Sequence, residues 1–273
     1  MSNEDLLHTP LGKKSRVSGV YDPAQLCPIA RAQTWLNYEL VQAPWHGVDI
    51  WNAWEISWLN NDGMPQIATA ELRVPASSLN IIESKSLKLY LNSFNQSEFE
   101  SFEIVEQTIR RDLSACAGDD IEVQLFSQEA ASHEILTLEG GCLDELNIKV
   151  SEYRRNPRLL QTEEHQYSRE KLYSHLLKTN CPVTSQPDWG SICIEYTGNA
   201  IRHESLLRYI VSYRNENDFH EQCVENIFLD IMHECQPESL TVYARYLRRG
   251  GLDINPWRST EKSIPDNCRL LRQ

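Results

Sequence analysis

The chain repeats itself. Shifted by 119 residues, the sequence meets itself at Ser86-Leu87 and Ser205-Leu206, Tyr90 and Tyr209, Ser93-Phe94 and Ser212-Tyr213, Val105-Glu106 and Val224-Glu225, Cys116 and Cys235, and Val123 and Val242. The offset slips by one between these blocks, Phe99 matching Phe219 best. Self-similarity at a fixed spacing marks a duplicated supersecondary unit, so each half should fold to the same plan.

Hydropathy gives that plan. In the second half Ile192, Ile194 and Tyr196 alternate as on a half-buried strand. Glu204 to Arg214 reads as a helix, and Glu216 to Gln236 as a second. Its apolar positions Phe219, Cys223, Ile227 and Ile231 recur every four residues on one face, and Pro237 ends it. Leu240, Val242, Ala244 and Tyr246 alternate again before the Gly250-Gly251 turn. In the first half Ala68, Ala70, Leu72 and Val74 alternate, Leu87 to Phe94 and Phe102 to Cys116 read as helices, and Ile121, Val123 and Leu125 alternate. Strands, two helices and strands, twice over, predict an α+β protein with antiparallel sheets covered on one face by helices. The expected domains are residues 1–126 and 179–273, joined by a segment 127–178 that holds Gly140-Gly141 and a charged stretch from Arg154 to Glu170.

Composition narrows the partners. With 273 residues and 41% apolar content the chain can bury a full core. A net charge of −13 argues against direct nucleic-acid binding. No apolar run approaches the ~18 residues of a membrane span. The start, Met1 to Lys14, carries Glu4 and Asp5 and does not read as a secretory signal, which points to the cytoplasm. Eight cysteines at irregular spacing, none in a CxxC pair, read as mostly buried thiols.

Four segments could carry chemistry. In Cys181-Pro-Val-Thr-Ser-Gln-Pro-Asp188-Trp-Gly, a turn-rich loop should expose the thiol, and Asp188 can fold back toward it as base and later acid; the bland alternative is a loop cysteine and a turn-capping aspartate. His220-Glu221 opens the second helix of its half, with Cys223 one turn on. Glu221 suits the N–H edge of a guanine-type base, or merely the helix dipole. Glu83-Ser84-Lys85-Ser86-Leu87-Lys88-Leu89-Tyr90 could be an ordinary helix start. Arg248-Arg249-Gly250-Gly251 could hold a phosphate or be a solvated hairpin end. There is no GxGxxG and no GxxxxGK, so neither a Rossmann turn nor a P-loop is present.

Taken together these segments resemble the 7-cyano-7-deazaguanine reductases of queuosine biosynthesis, in their long, two-module form. The segment from Glu83 to Tyr90 matches that family's signature throughout. Cys181 with Asp188, His220-Glu221, and Arg249-Gly250 before Asp253-Ile-Asn-Pro256 also stand where the family has them. The likeness runs from about His46 to Arg258 with no departure at a motif position. It implies tandem tunnelling-fold modules, shared with GTP cyclohydrolase I, that assemble into a dimeric barrel. It also implies roles: Cys181 attacks a nitrile carbon to form a thioimide, and Asp188 protonates the nitrogen, assisted by His220. Ile82, Glu83, Ser84, His220 and Glu221 contact the deazapurine, and Ser84, Lys85, Arg249 and Gly250 contact NADPH.

The two halves do not carry matching sites. His220-Glu221 falls opposite Glu100-Ser101, and Arg202 stands where the first half has Glu83. One site per chain, with parts from both halves, is therefore expected. A zinc-dependent purine or pterin hydrolase on the same fold is the main alternative, with Cys181, His220 and Cys223 as ligands; a non-catalytic purine-binding scaffold is another. Cys223, if close to Cys181, is also expected to pair with it under mild oxidation.

Overall fold

The computed structural model describes residues 19–32, 43–129, 134–263 and 265–273. The start of the chain, read above as lacking a secretory signal, lies outside them. The strands are β1 (Pro28–Ala30), β2 (His46–Leu59), β3 (Pro65–Pro75), β4 (Asn80–Ile82), β5 (Glu122–Phe126), β6 (Ile135–Leu136), β7 (Gly141–Cys142), β8 (Thr162–Ser174), β9 (Lys178–Asn180), β10 (Pro187–Ile201), β11 (Ser239–Tyr246), β12 (Leu252–Ser259) and β13 (Arg269–Leu270). The α-helices are α1 (Ser84–Asn92), α2 (Phe102–Ala117), α3 (His203–Ser212) and α4 (His220–Cys235). No helix among the described residues is long and apolar enough to cross a membrane.

Two compact units emerge, and the expected α+β class holds in each. Of the described residues, the first comprises 19–32, 43, 48–129 and 248–253; the second comprises 44–47, 134–247, 254–263 and 265–273. In the first, β3 lies between β2 and β5, all antiparallel, and α2 packs on β4 and β5. Ala68, Ala70, Leu72 and Val74 of β3 are buried, as their alternation requires. In the second unit the strand order runs β12-β11-β10-β8-β7, with β9 folded back on β10, and α4 packs on β11. The expected joining segment 127–178 is not a linker. It contains β8, which pairs with β10 along most of its length and belongs to the second unit.

The duplication is written in hydrogen bonds. Tyr90 of α1 donates to Asp112 of α2 at 2.8 Å, and Tyr209 of α3 donates to Asp230 of α4 at 2.6 Å. The Ser86 hydroxyl donates to the carbonyl of Glu83 and accepts from the amide of Cys27; Ser205 does the same with Arg202 and Gln161. Each helix pair is thus pinned to a preceding strap that starts with an Asp22-Pro23 or Asn156-Pro157 turn. In the second helices the register differs from the 119-residue offset. The N-caps are Ser101 and Phe219, the left-handed C-caps are Gly118 and Gln236, and the paired aspartates are Asp112 and Asp230. All three give 118. His220-Glu221 therefore corresponds to Phe102-Glu103, not to Glu100-Ser101.

The equivalent helices differ in their surroundings. Helix α2 buries one stripe, including Val105, Ile109 and Leu113. Helix α4 is buried on all sides from Glu221 to Phe228, rather than on the single face its periodicity predicts. Its polar positions survive burial because partners reach them. Arg258 donates to Glu225 at 2.7 Å, Asn226 donates to Asp218 at 3.1 Å, and Arg155 grips Asp230 with two nitrogens at 2.6 and 2.8 Å.

Candidate active site

Cys181 is the residue after β9, and the short loop to β10 closes on it. Its amide donates to the carbonyl of Gln186 at 2.8 Å, and its carbonyl accepts from Ser185 at 3.0 Å. The hairpin register pairs Asp188 with Thr179 and Pro187 with Asn180. Side chains alternate across a strand, and directly opposed residues share a face. Thr179, Cys181 and Asp188 therefore lie on one side, and all three are buried; Pro187 and Trp189, on the other side, are exposed. Register, rather than a loop folding back, brings Cys181 and Asp188 together. The thiol is also less open than a turn-rich loop suggested, at 6% exposure.

The chain ahead of α4 runs beside β9. The Asn180 amide donates to the carbonyl of Glu216, and Asn180 forms a bridge with Asn217. This delivers His220, the first residue of α4, to Asp188, with Nε2 3.5 Å from Oδ2. The other ring nitrogen, Nδ1, is buried with no hydrogen-bond partner. The imidazole lies face to face on the ring of Tyr246, with centroids 3.9 Å apart and planes 9° from parallel. Glu221 follows in the first turn of α4, buried, where the helix N-terminus favours a carboxylate.

The second unit thus gathers Cys181, Asp188 and His220 from a hairpin and a helix start, with Glu221 next to His220. Sequence reasoning missed Thr179 and Tyr246. Tyr246 had been read only as one more apolar position of a strand, and nothing local marks its ring as a platform. Cys223 is fully buried, and burial pushes its thiol well above the ordinary range. It fits the apolar face of α4, and a thiol held protonated is a poor nucleophile. Among the described residues no three His, Cys, Asp or Glu side chains are gathered to hold a metal ion, Cys181, His220 and Cys223 included.

In the first unit Glu83 is the N-cap of α1. Its two carboxylate oxygens accept from the amides of Lys85 and Ser86, each at 2.8 Å, and the residue is fully buried. Burial raises its pKa, and the two amide bonds work against that rise. Ile82 is buried beside it. The Arg248–Asp253 stretch belongs to this same unit. Arg249 and Leu252 exchange backbone hydrogen bonds around Gly250 and Gly251, whose φ values of 60° and 79° define a two-residue hairpin turn. Arg248 lies over the Trp54 ring at 5.0 Å. A side chain at Gly250 would meet only Lys88, at 3.9 Å, one helical turn beyond Lys85. Gly250 thus lies beside Lys88 on the helix that starts with Ser84 and Lys85, and the exposed glycine leaves open space there. NADPH fits these residues on charge and on space.

The two glycines should respond differently to substitution. A Cβ at Gly251 would sit 2.6 Å from the Glu55 carboxyl carbon, and Glu55 is the ion-pair partner of Lys88. Gly251→Ala should cost roughly 1–3 kcal/mol, from the left-handed backbone and the lost pair. Gly250→Ala, in open space, bears the backbone cost alone and should lose about 1 kcal/mol less than Gly251→Ala. Thermal melts of both variants check the order; equal losses would contradict it.

Two family models match the chain. Residues 18–125 match the N-terminal part of the nitrile reductase, 7-cyano-7-deazaguanine-reductase, family, and residues 187–264 match the QueF-like protein family. Among solved structures, the archaeosine synthase QueF-Like in the apo form matches at 16% identity and a TM-score of 0.31, over 37% of this chain and 100% of that one.

Proposed function

Since the chain belongs to the 7-cyano-7-deazaguanine reductase family of nitrile reductases, in its two-module form, we propose that it reduces the nitrile of 7-cyano-7-deazaguanine to the primary amine with NADPH, through a covalent adduct on Cys181. The observation that carries this reading is the shared buried face of Cys181 and Asp188, with His220 Nε2 3.5 Å from the carboxylate.

The thiolate of Cys181 adds to the nitrile carbon, forming the C–S bond while one π pair moves onto nitrogen. Asp188, supported by His220, gives that nitrogen its proton, and the product is a thioimide. NADPH, when bound, would supply a hydride to the carbon in each of two rounds. The first leaves the carbon bonded to sulfur; expulsion of the Cys181 thiolate then gives an imine, which the second round reduces. The sum is one nitrile, two NADPH and two protons to one amine and two NADP⁺. Glu221 accepts from the N–H edge of the deazapurine, and Ile82, Glu83, Ser84 and His220 make the remaining contacts to it. Ser84, Lys85, Arg249 and Gly250 would contact NADPH. The same reading makes the protein a cytoplasmic homodimer whose substrate is a small molecule rather than RNA.

The test follows NADPH oxidation and the amine together. Two NADPH should be consumed per nitrile, with NADH a poor substitute. One reduced cofactor per nitrile, or none, would refute the reading.

Glu83 has two roles in this account, and they separate. Glu83→Ala removes the acceptor of two helix-start amides, at a cost of about 1–2 kcal/mol of stability. As a charged contact to the substrate it contributes about 1.5–3 kcal/mol. The variant should therefore need roughly 10- to 150-fold more nitrile for half-maximal rate. A lowered melting temperature with unchanged KM would leave only the capping role.

A further inference from the structure

Tyr246 has no part in the chemistry above, yet its ring stacks on His220 of the proton-delivering pair. Both backbone polar groups of Tyr246 are tied: its amide donates to Asn255 Oδ1 at 3.3 Å, and Gln273 Nε2 donates to its carbonyl at 2.9 Å. Gln273 also donates to Asn255 Oδ1 at 2.8 Å, closing the clamp. On the neighbouring strand Gly190 stands opposite Tyr246, and a Cβ there would come within 3.1 and 3.2 Å of the tyrosine ring. The ring is thus fixed at its backbone and along one edge, while its face carries the His220 imidazole.

The hydroxyl is less engaged than the ring. It is buried and makes no hydrogen bond of normal geometry, although the Cys223 thiol and the Thr179 hydroxyl lie beside it. Burial first, then the Cys223 thiol, hold it protonated. His220 has no hydrogen bond at Nδ1 to orient it. A histidine is ordinarily oriented by a bond at its second nitrogen. Here the flat surface beneath takes that part, since stacked aromatic planes resist tilting.

We propose that Tyr246 is a positioning residue whose ring, not its hydroxyl, keeps His220 Nε2 aimed at Asp188. This rests on the reading of Asp188 and His220 as the pair that delivers protons to the substrate nitrogen. The consequence is a demand for a flat, unhindered ring at position 246 and for no side chain at position 190.

The experiment compares Tyr246→Phe, Tyr246→Met and Gly190→Ala in the full chain. Phe keeps the plane, Met fills similar space without one, and the alanine at 190 pushes the native ring by a few tenths of an ångström. Tyr246→Phe should stay within about threefold of the wild-type kcat, because the lost hydroxyl makes no hydrogen bond of normal geometry and none to His220. Tyr246→Met should lose roughly tenfold or more in kcat, part of the ~10²- to 10⁴-fold that a positioned acid contributes, with a smaller change in nitrile KM because His220 also contacts the base. Gly190→Ala should fall between them and decides the matter if the methionine variant does not fold. NMR of ¹⁵N-histidine-labelled protein without substrate adds a readout independent of turnover. The His220 ring signals should be single in the wild type and the phenylalanine variant, and broadened or doubled in the others. Wild-type kcat in a folded Tyr246→Met or in Gly190→Ala would overturn the proposal. So would a phenylalanine variant as impaired as the methionine one, or a loss carried by KM. Failure of the wild type to act on the nitrile, with the NMR pattern as expected, would remove the proposed reaction and leave the positioning contact standing.

Discussion

Cys181→Ala is expected to abolish nitrile reduction, by at least about 10³-fold, while the protein still folds. No other residue on the buried face of the hairpin can form the carbon–sulfur bond, so the reaction loses its covalent route rather than an accessory. Alanine fits the space of the thiol, and the backbone bonds that close the loop, from Cys181 to Gln186 and from Ser185 to Cys181, use no side-chain atom. The variant should therefore melt within a few degrees of the wild type. Retention of more than about a tenth of the activity in a folded variant would contradict covalent catalysis through this residue. Cys223→Ala supplies the contrast: that thiol is buried and held protonated, so its removal should alter stability and spare turnover.

The second large effect concerns Asp188. Asp188→Ala should lower kcat by roughly 10²-fold or more, because a positioned acid contributes that much in general. The carboxylate is 5% exposed and lies 3.5 Å from His220 Nε2, so its loss also strips the imidazole of the group it faces. Asp188→Asn keeps the shape of the site and removes the transferable proton. Its fall should match that of the alanine variant within a few-fold. Single-turnover measurements check this directly: both variants should form the Cys181 adduct slowly, in contrast to Cys181→Ala, which should form none. A fully active Asp188→Asn would assign the proton to another group, with His220 the next candidate.

The parts of the fold that sequence reveals are those where burial has one face. Strands β3, β10 and β11 and the four described α-helices announce themselves through period 2 or period 3.6. Strand β8 does not. It is an edge-like run of charged residues, with only Leu172 and Ser174 buried, so no alternation marks it and it passed for a linker. Strand β12 hides for the opposite reason. It is buried at every position, including Asp253, Asn255 and Arg258, and a strand rich in satisfied polar groups does not look like core. The offset of 118 between α2 and α4 needed the caps, because an apolar stripe of residues three and four apart matches itself nearly as well after a one-residue slip.

The site was legible in a similar, uneven way. The residues came from four short segments, and their roles came from family likeness rather than from spacing. Seven residues separate Cys181 from Asp188, and only the pairing of Asp188 with Thr179 explains why that spacing puts both on one face. The paired glycines at 250 and 251 were readable as a turn because both adopt left-handed backbone, which glycine alone takes without strain. Glu83 was readable as a helix start, but its complete burial was not. Tyr246 was invisible as a functional residue: its contact with His220 joins two elements distant in sequence, and stacking leaves no motif.

The central claim is that Cys181 bonds covalently to the nitrile carbon before any reduction. Mass spectrometry of the intact protein, mixed with 7-cyano-7-deazaguanine and no NADPH, tests it most directly. The account predicts a gain of one nitrile molecule per chain, mapped by peptide digestion to Cys181, absent in Cys181→Ala and lost on addition of NADPH. A folded wild-type protein that gains no mass at saturating nitrile, or gains it on a residue other than Cys181, would contradict the account.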